Sequence, residues 1–183
     1  MGDIHAPVPV LLLVAVVSRY QAALDWAREK LSGQFGPIAL TSEAFAFTET
    51  EYYAPTMGAD LKKQFLVFEQ LVDPGALADI KRQTNAWEAE YAALGRHQEA
   101  RPLNLDPGYV TAAKLVLAST KDHAHRIYLR DGIYAEVTLA YRHRQWQPLD
   151  WTYPDYRRAD FHAFFSRCRE LVLNCGSRGD GLK

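Results

Sequence analysis

The sequence predicts a single α+β domain: a mixed sheet with helices packed on it, built on a split β-α-β or ferredoxin-like core and extended by a hairpin and a C-terminal helix. Three observations carry that expectation. Val8 to Val17 is a β-branched and aliphatic run without polar alternation, the pattern of a strand covered on both faces. Leu77, Ile80, Thr84, Trp87, Tyr91 and Leu94 recur at steps of three and four, which marks one face of a helix. Asp131-Gly132 separates two extended runs, and both residue types suit the positive φ of a tight hairpin turn.

The 183 residues suffice for one well-buried core and are few for two domains. No repeat or linker divides them, so one domain is expected over 1–175, followed by a flexible Gly-rich tail over 176–183. Hydrophobic residues make up 48% and charged residues 23%, the balance of a globular protein. A net charge of -1 provides no global field for nucleic acid or an anionic membrane.

Along the chain, Ser18 and Gln21 form a capping-box pattern for a helix over 19–32 that Gly33 would end. Ile38 and Leu40, then Phe45 and Phe47, alternate as an extended stretch whose change of parity predicts a bulge. Residues 48–59 lack a period and read as an aromatic loop, and 61–72 returns to strand character. Asp73-Pro74 starts the long helix, which Gly95 stops. Asp106-Pro107-Gly108 repeats that punctuation and favours a shorter helix to Thr120, although Leu115 and Leu117 also fit a strand. The hairpin occupies 126–129 and 133–141. Residues 146–154 read as an aromatic, Pro-containing loop, and Asp160 to Leu173 closes the chain as a helix.

Several chemistries are excluded for want of their motifs. There is no GxxxxGK[ST], no GxGxxG after the first strand, no GxSxG, no HExxH and no CxxC. The two cysteines, Cys168 and Cys175, are spaced seven apart on one helix, ~10 Å and thus too far for a disulfide. They read as reduced thiols. The apolar run at 8–17 is shorter than the roughly 20 residues of a spanning helix, and no basic residue precedes it as in a signal peptide. The expectation is a cytoplasmic protein without a membrane span.

The candidate site is the stretch 104–136. Asp106 at a helix start or turn would face a cation, a ligand hydroxyl or an Arg. Lys121, His123, His125 and Arg126 form a basic cluster suited to phosphate or carboxylate, or else a solvated loop. If 123–126 are extended, His123 and His125 share a face. They could then hold a divalent metal with a third ligand such as Glu136, Asp106, Glu49 or Glu51, a minor alternative to a site without metal. His123, His125, Glu136 and Asp106 are also the candidates for catalytic acid or base, with Glu136 beside Tyr134 and Thr138 on one strand face or simply on its wet side. Tyr109, Tyr128 and Trp151 supply aromatic walls, and the rings of 151–156 and Tyr52-Tyr53 either stack a ligand or lock loops onto the core.

The segments YYAPTMG (52–58), PLNLDPGY (102–109), KLVLASTKDHAHRIYL (114–129), GIYAEVTLAY (132–141) and WTYPDY (151–156) resemble, in this order, a bacterial family known only as a domain of unknown function. The resemblance implies a bacterial, cytoplasmic protein and brings no activity, cofactor or catalytic residue. Ala54-Pro55 stands where the family pattern carries an acid, so the resemblance gives that loop no carboxylate role. Two functions remain open. One is binding, with or without transformation, of a small anionic or nucleotide-like ligand. The other is a protein-interaction module with aromatic surface loops.

Overall fold

A computed structural model describes residues 2–49 and 54–179, with side chains described as far as 175. In chain order the elements are β1 (Val10–Ser18), α1 (Gln21–Phe35), β2 (Ile38–Thr41), β3 (Phe45–Ala46), α2 (Ala54–Met57), β4 (Lys62–Val72), α3 (Leu77–Ala93), β5 (Asn104–Val110), β6 (Lys114–Ser119), β7 (Ile127–Arg130), β8 (Ile133–Arg142), β9 (Gln145–Pro148) and α4 (Ala159–Gly179). Tyr52, Tyr53, Glu51 and tail residues 180–183 lie outside the described residues.

β1 is buried along its whole length, and the period of two along a strand divides its side chains between two layers. Leu12, Val14 and Val16 pack with Ala23, Leu24, Ala27 and Leu31 of α1 and with Ile80, Trp87 and Tyr91 of α3. Leu11, Leu13 and Ala15 face the other way, toward Phe161, Phe165 and Cys168 of α4. Each such aliphatic side chain contributes about 1.5–3 kcal/mol when fully buried, which is why this run takes the centre of the sheet.

Among the described residues nine strands make one sheet in the order β2-β4-β1-β5-β6-β8-β7, with β3 added to β4 and β9 to β8. The domain is α+β as the sequence predicts, but the sheet is antiparallel at every pairing rather than mixed. The reason lies in the crossovers. α1 carries the chain from β1 past β4 to β2, and α3 carries it from β4 past β1 to β5, so the strands that each helix joins are never neighbours.

Local signals fared unevenly. The Oδ1 of Asp73 accepts from the Gly75 N–H at 2.7 Å and caps the 3-10 turn Pro74–Ala76 that leads into α3, and Asp131 and Gly132 both take positive φ, 53° and 75°, in the β7–β8 turn. Ser18 is not a helix cap; its hydroxyl donates to the Pro102 carbonyl and accepts from the Tyr20 N–H, closing the end of β1. Gly33 lies inside α1, which ends instead at Gly36 with φ 84°. The expected bulge between Leu40 and Phe45 is a break between β2 and β3, bridged by Ser42, whose hydroxyl accepts from the Phe65 N–H.

Two corrections matter for function. Residues 107–120 are not a helix but belong to the hairpin β5–β6, because the extended backbone lets Leu103 and Leu105 bury on one face of the sheet and Val110, Leu115 and Leu117 on the other. Residues 145–148 are a strand rather than loop. They pair with β8 through a turn at His143 and Arg144, whose φ of 50° and 64° no Gly, Asn or Asp announces.

Candidate functional site

The sheet splits at the Asp-Pro-Gly tripeptide. β5 pairs with β1 from Asn104 to Val110 but meets β6 only at Gly108, Tyr109 and Val110. A Cβ on Gly108 would stand 2.2 Å from the Val116 carbonyl oxygen, so glycine is what allows the two strands to touch there. Pro107, with no N–H to donate, is the first residue beyond that ladder. From this point β6 follows β8 as far as Ser119 opposite Tyr134, and a cavity of about 830 Å³ opens between the diverging strands.

One wall is a continuous polar chain. Lys81 and Glu88, two turns apart on α3 and both buried, point into the split. The Lys81 ammonium donates to Asp106 Oδ1 at 2.9 Å and to the Leu105 carbonyl at 2.8 Å. Asn104 Nδ2 donates to Asp106 Oδ2 at 2.6 Å and its Oδ1 accepts from Arg101, which in turn donates to Glu88 Oε2 at 2.8 Å. Glu88 Oε1 closes the circuit on the Leu105 N–H at 2.8 Å. Burial pushes the Asp106 carboxyl upward, but the charge and hydrogen bond of Lys81, with help from Lys63 and Asn104, outweigh it and hold the group below its ordinary range. At Glu88 the balance is reversed: burial wins over Lys81 and Arg101, and its carboxyl is raised.

A second wall joins distant parts of the chain. Lys63 of β4 and Asp155, 92 residues apart, form an ion pair with side chains only 6% and 5% exposed. The ammonium also sits 4.1 Å from the Phe47 ring centroid and 4.9 Å from that of Tyr156.

The third wall is the loop from β6 to β7. Arg126 Nε donates to Glu136 Oε2 at 2.7 Å, Nη1 to the Ser119 hydroxyl at 2.7 Å and Nη2 to the Tyr153 hydroxyl at 3.0 Å. Burial disfavours its charge, yet the hydrogen bond and charge of Glu136 more than compensate, so the guanidinium stays ionised. His125 Nε2 lies 3.0 Å from the same Glu136 oxygen. The His125 ring is stacked with both His123 and Trp151, at centroid distances of 5.8 and 5.2 Å and with planes within 6° and 8° of parallel.

Asp106, Lys121, His123, Arg126 and Glu136 thus line one cavity, whereas His125, Tyr109, Tyr128 and Trp151 do not. Arg126 and Glu136 satisfy one another in the wall. Tyr109 packs with Leu77, Ala78 and Val116 on the α3 side of the sheet, and Tyr128 is exposed on β7. Residues 123–126 are a turn closed by the Arg126 N–H on the His123 carbonyl, so the two histidines do not share a strand face; they stack. Among the described residues no three His, Cys, Asp or Glu side chains group as a metal site. Glu49, a further candidate ligand, is paired with Arg158 at 2.8 Å.

Lys63, Lys81, Glu88, Arg101, Asn104 and Asp155 belong to the cavity and carry no local sequence signal. Lys81 and Glu88 sit at helical spacing next to apolar positions, where charged side chains usually mark a wet flank. Only Arg101-Pro-Leu-Asn-Leu-Asp106, where Asn104 separates two leucines and Arg101 and Asp106 flank them at the start of a buried strand, offers a partial clue.

Both cysteines are unpaired, Cys168 buried and Cys175 exposed, and among the described residues no helix is long and apolar enough to cross a membrane. No curated protein and no solved structure matches the chain. A family model does match, over residues 8–171, and by that match the chain belongs to the domain of unknown function DUF4416.

Proposed function

We propose that this is a bacterial cytoplasmic protein that binds a small anionic ligand in the cavity between β5 and β6. One observation carries the reading. Among the described residues every carboxylate in the wall is matched by a cation at 2.9 Å or less: Glu49 by Arg158, Glu88 by Arg101, Asp106 by Lys81, Glu136 by Arg126 and Asp155 by Lys63. A ligand therefore meets walls whose carboxylates are each matched by a cation, and Lys121 and His123 are among the other lining residues. Buried ion pairs do little for stability compared with apolar packing, so their concentration around one hollow favours a functional origin. The volume falls in the usual range of ligand sites, and the unpaired thiols fit a reducing compartment.

Thermal unfolding with orthophosphate, pyrophosphate, citrate and sugar phosphates tests the reading. A ligand at 100 times its Kd adds about 2.7 kcal/mol, which for a chain of this size raises Tm by about 5–10 °C. Lys121→Ala, at an exposed position, should reduce that shift. If no anion moves Tm, the reading fails.

A different observation favours interaction with a protein. β7 ends the sheet, and Ile127, Tyr128 and Leu129 on it are 73%, 57% and 39% exposed. An apolar edge strand of this kind can accept a partner's strand. Light scattering on the protein and on Ile127→Lys would reveal self-association through this edge.

A further inference from the structure

We propose that the ligand carries a planar aromatic ring beside its anionic group, as a nucleoside monophosphate does, and that this ring stacks on His123. The inference rests on the anion-binding reading above and names the rest of the molecule. Three rings already form a parallel column, Trp151, His125 and His123 in that order. Two of its members are held by hydrogen bonds: the Trp151 indole N–H donates to the Val137 carbonyl at 2.9 Å, and His125 is held by Glu136, itself anchored by Arg126. Of the three rings, His123 alone lines the cavity. The column thus runs from the sheet toward the hollow and ends there on a ring with one face unmatched by the other two. Offset parallel rings at these centroid distances are the favoured aromatic geometry, and a base extends such a column without needing any particular hydrogen-bond pattern.

The neighbourhood suits the remaining parts of such a molecule. Ser119, Thr120 and Lys121 border the cavity just before His123, so hydroxyls and an ammonium lie beside the column's end. A ring on His123 would leave its sugar and phosphate over these residues. The phosphate would then approach Lys121, the lining cation nearest in sequence, while the buried pairs stay intact.

The test is calorimetric titration of the full-length protein with AMP, GMP, CMP and UMP and, as the ring-free control, ribose 5-phosphate. At least one nucleotide should bind more tightly than ribose 5-phosphate. His123→Ala should weaken that nucleotide by roughly 5- to 150-fold, the cost of losing one stacked base, and leave ribose 5-phosphate unchanged. His123→Phe, which keeps a flat ring, should retain most of the affinity. Equal binding of ribose 5-phosphate and every nucleotide, or an equal loss of both in His123→Ala, overturns the stacking inference and leaves the anion site standing. If none of the five binds, the inference is overturned as well, and the phosphate, pyrophosphate and citrate series decides separately whether the anion reading survives.

Discussion

Arg126 Nε donates to Glu136 Oε2 at 2.7 Å, and each side chain is only 2% exposed. This pair ties the β6–β7 loop to β8 and so fixes the cavity's third wall. Glu136→Ala would strand a buried guanidinium and should cost about 3–5 kcal/mol in urea unfolding. Glu136→Gln, which keeps an acceptor for Nε, should cost less. A loss in Glu136→Ala below about 1 kcal/mol would mean that the loop is held by other contacts.

Gly108 sets where β5 and β6 meet. An alanine Cβ there would lie 2.2 Å from the Val116 carbonyl oxygen and 3.2 Å from Leu117 Cα, both backbone atoms that cannot swing aside. Gly108→Ala should therefore destabilise the protein by about 1–3 kcal/mol, the usual cost of overpacking, and weaken any ligand by moving β6. Unchanged stability in thermal unfolding would show that the strands part readily.

Those two residues also show how far the sequence is legible. β1 was readable because burial on both faces removes every polar residue from its run, and α3 because one apolar face repeats over four turns. Asp106-Pro107-Gly108 is ambiguous as a local signal because the same tripeptide serves a helix start and, as here, the branch of a sheet. The distinction depends on how closely Val116 approaches, which is a contact across the hairpin. The site was half legible for a related reason. Loop charges such as Lys121 and Arg126 stand out locally, but Lys81, Glu88 and Lys63 acquire their role only when Asp106, Arg101 and Asp155 arrive from elsewhere in the chain.

Glu88 should leave a mark on the pH dependence of stability. Burial raises its carboxyl above the ordinary 4.5, with Lys81 and Arg101 opposing the shift. The native state thus holds this proton more tightly than the unfolded chain does. The stabilisation is present below the unfolded value and is lost as pH rises through the folded one. The difference in unfolding free energy, wild type minus Glu88→Gln, should fall as pH rises above 4.5. A difference that grows over that window contradicts the assignment.

The two thiols should separate kinetically. Burial pushes Cys168 up to about 12, whereas Cys175 is exposed. A disulfide reagent at pH 8 should modify one thiol rapidly, and Cys175→Ser should abolish that phase. The Cys168 phase should follow unfolding. Two rapid phases in the native protein would show α4 to be loosely docked.

The central claim is that the hollow between β5 and β6 takes an anion. Its most direct test is the map of backbone amide NMR shifts on titration with the anion that raises Tm most. The account predicts saturable shifts concentrated at Asn104 to Asp106 and Ser119 to His123, weakened in Lys121→Ala. Shifts confined to the exposed strand Ile127 to Arg130, or none that saturate, would contradict it.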